Sequence, residues 1–268
     1  IKSVHYFTGQ VWKNKSGLMK FFLKRIDIMT SFFSYKILVD SNSQFEYLIK
    51  NKINIKRKGK VLLKGSISGV DINKFKPNLD IRLKMRKSLK INKNDVVIIF
   101  LGRINQDKGI KELVSTYRNI KNKFNNFSIF LLLVGQEDDK LLKYLNIKDS
   151  KIIHIPNSDV PANYLNASDI FCLPSKREGF GTSVIEASSC ELPIICSNIY
   201  GLTDAVQNNK TGILFNIYEK NDFEDKLINL ICDSDLRGKL GKAGRKRVIS
   251  DFDSNASSKA LLNYLISI

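Results

Sequence analysis

Apolar residues along this chain of 268 follow two rhythms. Short unbroken apolar runs stand at Val96–Leu101, Ile129–Val134, Ile152–Ile155, Ile170–Leu173 and 194–196, with the length and β-branched content of buried strands. Between and after them lie amphipathic stretches at 110–124, 140–144, 164–167, 182–190 and Asp222–Cys232. The last part, 235–268, reads as helix broken near 251–254. Strand and helix in alternation predict βα units around a parallel sheet, an α/β doubly wound domain whose ligands sit at the carboxyl ends of its strands.

The first sixty residues have another character. Leu18, Phe22, Ile26, Met29 and Phe33 share one helical face, with Lys13, Lys15, Lys20, Lys24 and Arg25 on its flanks. This pattern predicts a helix that packs its apolar face on a core, with a basic amphipathic helix on an anionic membrane as the alternative. A strand at 37–40, a helix at 43–51 and a strand at 61–64 follow. Gly65, Gly69 and Pro77 punctuate the next stretch and set a domain boundary, dividing the chain into 1–70 and 71–268. The chain opens with Ile1 and not Met, and runs at once into a strand and loop, so it reads as an N-terminally truncated fragment.

Charge adds a weak preference. Lys and Arg number 44 against 26 Asp and Glu, a formal net charge of +18. Such a surplus suits nucleoside diphosphates, nucleic acid or an acidic membrane face without choosing among them. The four cysteines, Cys172, Cys190, Cys196 and Cys232, lack metal-ligand spacing and read as buried free thiols in a reducing compartment, which with no signal peptide visible points to the cytoplasmic side. No apolar run approaches the length of a membrane span.

Two loops carry the candidate chemistry. After the run Val96–Leu101 come Gly102, Arg103, Lys108 and Gly109, then a helix. Two cations and two glycines at a strand-to-helix turn fit a diphosphate, yet match neither a Walker loop nor a dinucleotide fingerprint. After Ile170–Leu173 come Glu178, Gly179, Gly181, Thr182, Ser183 and Glu186. The glycines let backbone approach a ligand, the helix start near Thr182 aims free N–H groups at an anion, and the carboxylates suit sugar hydroxyls. Ser183 and Glu186 also have the spacing of a capping box, which needs no ligand.

Gly102 to Gly109, the pair Glu178 and Glu186 seven residues apart, and the linker Gly69, Val70, Asp71, Phe75 and Pro77 together resemble glycosyltransferase family 4, retaining enzymes of the GT-B fold. The resemblance covers residues from about Lys60 to the end. It implies a nucleotide-sugar-binding domain at 71–268, preceded by part of a second Rossmann-like domain, with the last helix packing back on the first domain. Arg103 and Lys108 would bind the donor diphosphate in place of a metal. Glu178 would contact the transferred sugar and Glu186 the ribose, with main-chain groups at Gly181, Thr182 and Ser183 holding sugar and phosphates. Gly135 matches the start of a glycine turn whose second glycine is missing here, and the base would lie near Val160. His5 resembles the histidine that approaches the donor sugar, although a histidine among apolar residues is as readily structural.

The resemblance further implies a UDP-sugar donor as substrate, no cofactor, and a saccharide or lipid-linked saccharide acceptor in bacterial surface polysaccharide assembly. It places the protein in the cytoplasm at the inner face of the cell membrane, with an anionic membrane surface as a further partner. The triplets Asp233 to Asp235 and Asp251 to Asp253 are read as helix starts and not as metal ligands. Two other readings stay open: a nucleotide-sugar epimerase on a similar fold, and a basic nucleic-acid-binding module, for which charge is the sole support and no binding motif appears.

Overall fold

A computed structural model describes every residue except 1, 139 and 220. The first part of the chain builds a small parallel sheet from β1 (Val4–Phe7), β2 (Lys36–Val39) and β3 (Gly59–Lys60), in that order. Helix α1 (Gly17–Phe33) connects β1 to β2 and α2 (Asn42–Lys50) connects β2 to β3. Phe7, Trp12, Ile37, Val39, Leu48, Ile53 and Ile55 form its separate core. The strand expected at 61–64 is displaced: β3 ends at Lys60, and Leu63 takes a left-handed φ of 49° that interrupts any extended run.

Helix α1 turns out the other way round from the expected packing. Leu18, Phe22, Ile26, Met29 and Phe33 are all exposed, and so are Met19, Phe21 and Phe32. The side that packs inward carries Leu23, Ile28 and Ser31. Periodicity located the stripe correctly but could not say which surface it meets.

The rest of the chain forms a six-stranded parallel sheet of β4 (Val96–Leu101), β5 (Ile129–Val134), β6 (Ile152–Ile155), β7 (Ile170–Leu173), β8 (Ile194–Ser197) and β9 (Gly212–Phe215). Their order is β6-β5-β4-β7-β8-β9. Its helices are α3 (Leu79–Ser88), α4 (Ile110–Ile120), α5 (Leu141–Tyr144), α6 (Pro161–Ala167), α7 (Thr182–Ser189), α8 (Leu202–Ala205), α9 (Asp222–Cys232), α10 (Ser234–Asp251) and α11 (Ser254–Ile266). The strands are buried on both faces, as their unbroken apolar runs require. The chain runs outward from β4 through β5 to β6, then returns to β7 on the opposite side of β4. That reversal opens a crevice at the carboxyl ends of β4 and β7, where doubly wound sheets take ligands. The chain has an α/β architecture of the GT-B type.

Asp233 caps α10 by accepting from the Leu236 N–H at 2.8 Å, and Asp253 caps α11. Both aspartate triplets thus have a helix-start role. From α11 the chain returns to the first sheet: Lys2 donates to the Ile268 carbonyl, and the Lys60 ammonium lies over the Tyr264 ring at 5.0 Å. Cys172, Cys190 and Cys196 are buried free thiols, but Cys232, at the end of α9, is exposed.

Candidate active site

A cavity of about 320 Å³ opens at the β4/β7 crevice. From the sheet side come Arg103, Lys108 and Glu178, joined by Gly181, Thr182 and Ser183 at the start of α7. From the first sheet come Thr8, Gly9 and Asp40, which follow the carboxyl ends of β1 and β2. The predicted phosphate loop and the predicted glutamate loop therefore meet in one cavity.

Backbone contacts force that meeting. Gly109 caps α4 with φ of 71°, and a Cβ placed there would lie 2.0 Å from the Pro174 carbonyl oxygen. Only glycine allows the loops after β4 and β7 to approach so closely. Gly135 plays the same part between β5 and β4, because its Cβ would fall 1.9 Å from the Gly102 carbonyl oxygen. The Lys176 N–H donates to the Asp107 carbonyl at 2.8 Å and ties the loops once more.

Lys108 Nζ donates to Glu178 Oε1 at 2.6 Å, and Ser175 Oγ donates to the same oxygen at 2.7 Å. Glu178 is 8% exposed, so this loop carboxylate is buried. Arg103 is exposed and makes no salt bridge among the described residues, leaving its guanidinium available to an anion. Helix α7 starts from Gly181 with no side-chain cap. The capping-box spacing of Ser183 and Glu186 is therefore not used as one, and the first N–H groups of α7 are left for a ligand or water.

The first sheet closes the far side. Arg177 donates to the Gly9 carbonyl at 2.8 Å and pairs with Asp107 at 2.9 Å, while Asn14 donates to the other Asp107 oxygen at 3.0 Å. Burial pushes Asp107 up, but the bonds from Arg177 and Asn14 outweigh it and hold the carboxyl below its ordinary range. Ser41 donates to the Gly179 carbonyl at 2.9 Å. Asp40 has no cationic partner among the described residues; burial raises its pKa, the Glu178 charge adds to this, and bonds from Tyr6 and the Ile67 N–H oppose it. Lys13, which the sequence assigned to a helix flank, lies 4.3 Å over the Tyr200 ring, and burial lowers its pKa to about 8, with Arg177 adding to this and Glu178 opposing.

Other expected site residues stand apart from the cavity. His5 lines a separate cavity of about 230 Å³ with Trp12 and Asp27, its ring edge-on to Phe7 at 4.6 Å. It is Thr8, three residues later, that reaches the central cavity. Gly135 supports the loops from below, its N–H donating to the Ile155 carbonyl. Val160 is half exposed ahead of α6. Glu186 lies a turn into α7, outside the cavity lining; burial raises its carboxyl to about 7, and the nearby Lys74 offsets this only in part. Thr8 and Asp40 carried no sequence signal as site residues, because each arrives from a segment distant in the chain.

Residues 81–247 match the family model described as glycosyl transferases group 1. The chain is 33% identical over 249 residues to a Staphylococcus aureus capsular polysaccharide biosynthesis glycosyltransferase, CapM, covering 89% of this chain and 63% of that protein. It is 27% identical over 259 residues to an Escherichia coli UDP-Gal:alpha-D-GlcNAc-diphosphoundecaprenol alpha-1,3-galactosyltransferase, covering 94% of this chain and 65% of that one. The chain thus spans just under two thirds of these relatives' lengths. Among solved structures, the Anabaena protein HepE in complex with UDP and glucose superposes with a TM-score of 0.84 at 17% identity, over 100% of this chain and 72% of that one.

Proposed function

This chain belongs to the glycosyl transferases group 1, and on that premise we propose that it is the donor-binding part of a retaining enzyme that moves a sugar from a UDP-sugar to a saccharide or lipid-linked saccharide. The reaction serves surface polysaccharide biosynthesis. The observation that carries the reading is the convergence of Arg103, Lys108 and the uncapped start of α7 on one cavity at the sheet's switch point. Cleaving the sugar–diphosphate bond leaves charge on phosphate oxygens, and these preorganised positive groups meet it without a metal or cofactor. A diphosphate entering the cavity would share Lys108 with Glu178, whose carboxylate then faces the sugar hydroxyls. Glu186 is assigned to the ribose and Val160 to the vicinity of the base. The relatives whose names specify glycan or diphosphoundecaprenol chemistry support the acceptor class.

The exposed apolar stripe of α1, flanked by Lys20, Lys24 and Arg25, is assigned to an anionic membrane surface, which would place the protein at the inner face of the cell membrane. Among the described residues no helix is long and apolar enough to cross a membrane, and the contact assigned to α1 is one of a helix lying on the surface. Incubation with UDP-sugar and a lipid-linked saccharide, with analysis of the product's anomeric configuration, tests the reaction. A new α-linked product from an α-linked donor supports it; an isomerised free nucleotide sugar would favour an epimerase.

A further inference from the structure

A second cavity, of about 520 Å³, lies on the other side of the Asn14–Asp107 hydrogen bond from the candidate active site. We infer that this cavity is a saccharide-binding subsite that holds a sugar unit of the acceptor or product away from the reacting centre. The identification of its occupant as acceptor rests on the glycosyltransfer reading; the binding of a sugar there does not.

The lining selects the ligand. One wall is helix α4, which presents Glu112, Ser115 and Thr116. The floor is apolar, with Phe215 and Phe223 stacked at 4.4 Å. At the rim, the turn after β9 is fixed by Asn216 Oδ1 accepting from the Tyr218 N–H at 3.0 Å, and it holds the Tyr218 ring 88% exposed. An aromatic ring left in solvent beside hydroxyls, amides and carboxylates matches a ligand with one apolar face and a polar rim, as a pyranose has. Among the described lining residues Lys111 and Lys176 are balanced by Glu112 and Glu219, so they do not form the cationic cluster that a nucleotide site needs. Glu112 pairs with Lys176 through Oε1 at 2.7 Å, and its side chain stays 43% exposed at the cavity wall. A half-exposed carboxylate at the wall is an acceptor that a ligand hydroxyl can reach. The volume falls in the range of about 300–1,000 Å³ common to small-molecule sites.

The test is a methyl-observed NMR titration of the chain with glucose, galactose, mannose and N-acetylglucosamine, each to about 100 mM, a range that reveals millimolar binding. At least one sugar should shift the methyls of Ile217 and Thr116, and Tyr218→Ala and Glu112→Gln should each weaken that response by about fivefold or more. A parallel titration with UDP should shift the Thr182 and Val184 methyls in wild type and both variants alike. No sugar shifting Ile217 or Thr116, or shifts indifferent to both substitutions, overturns the inference. Sugar shifts without any UDP response would instead sink the donor reading and leave the subsite standing.

Discussion

Replacing Glu186 by Gln makes a prediction whose sign the structure fixes. The carboxyl rises from an ordinary 4.5 to about 7, chiefly through burial, with Lys74 opposing. Between those values the folded chain keeps a proton that the unfolded chain has released. The folded state then binds more protons, so stability falls as pH rises through this window, and below it the group contributes nothing. The interval of about 2.5 pH corresponds to at most about 3 kcal/mol, fully present above pH about 7. Glutamine cannot ionise and so escapes this penalty, although its amide carries a pH-independent cost of its own. Urea unfolding of both proteins from about pH 4 to about pH 8 gives the stability difference at each pH, and the titrations they share cancel. The difference should move in favour of Glu186→Gln by about 2–3 kcal/mol between the two ends. A difference that stays flat across the range would refute the buried-carboxyl account of α7.

Other substitutions probe other links. Lys108→Ala leaves the buried Glu178 carboxylate without its ion-pair partner and should destabilise the chain by about 2 kcal/mol, a value discounted for the partial exposure of Lys108; Lys108→Ala with Glu178→Gln should recover most of it in the same unfolding assay. Gly109→Ala sets a Cβ against the Pro174 carbonyl at a left-handed φ and should cost about 2 kcal/mol or more, or prevent folding, while the exposed Gly238→Ala, with open space around it, should be neutral or stabilising. Lys20→Glu, Lys24→Glu and Arg25→Glu together should abolish sedimentation with phosphatidylserine vesicles, at about 1 kcal/mol per cation removed, in a chain whose circular dichroism shows that it still folds. Binding that survives the triple reversal removes α1 from the membrane account.

The parts of this molecule legible in sequence are those where local pattern and tertiary role coincide. Runs such as Val96–Leu101 are buried on both faces, so they announce themselves without help from neighbours. The loops after β4 and β7 were legible because their glycines and charges sit where any doubly wound sheet puts ligands. Strand β9 escaped because four residues beginning with Gly212 carry little periodic signal. Helix α3 escaped because its sequence is mostly polar; it is held by Arg82 and Arg86 pairing with Asp169 near α6, and not by an apolar stripe. The outward face of α1 was hidden for the reason that a hydrophobic stripe names no partner. Thr8 and Asp40 could not be found before the two sheets were brought together through Arg177, Gly9, Ser41 and Gly179.

The central claim, that the β4/β7 crevice receives a nucleoside diphosphate through Arg103 and Lys108, is tested most directly by calorimetric titration with UDP, GDP and ADP. The account predicts that UDP binds the wild-type chain and that Arg103→Ala with Lys108→Ala loses that binding by about a hundredfold or more, two charge-assisted contacts being removed. Undiminished UDP binding by the folded double variant, or no nucleotide binding by the folded wild type, would contradict it.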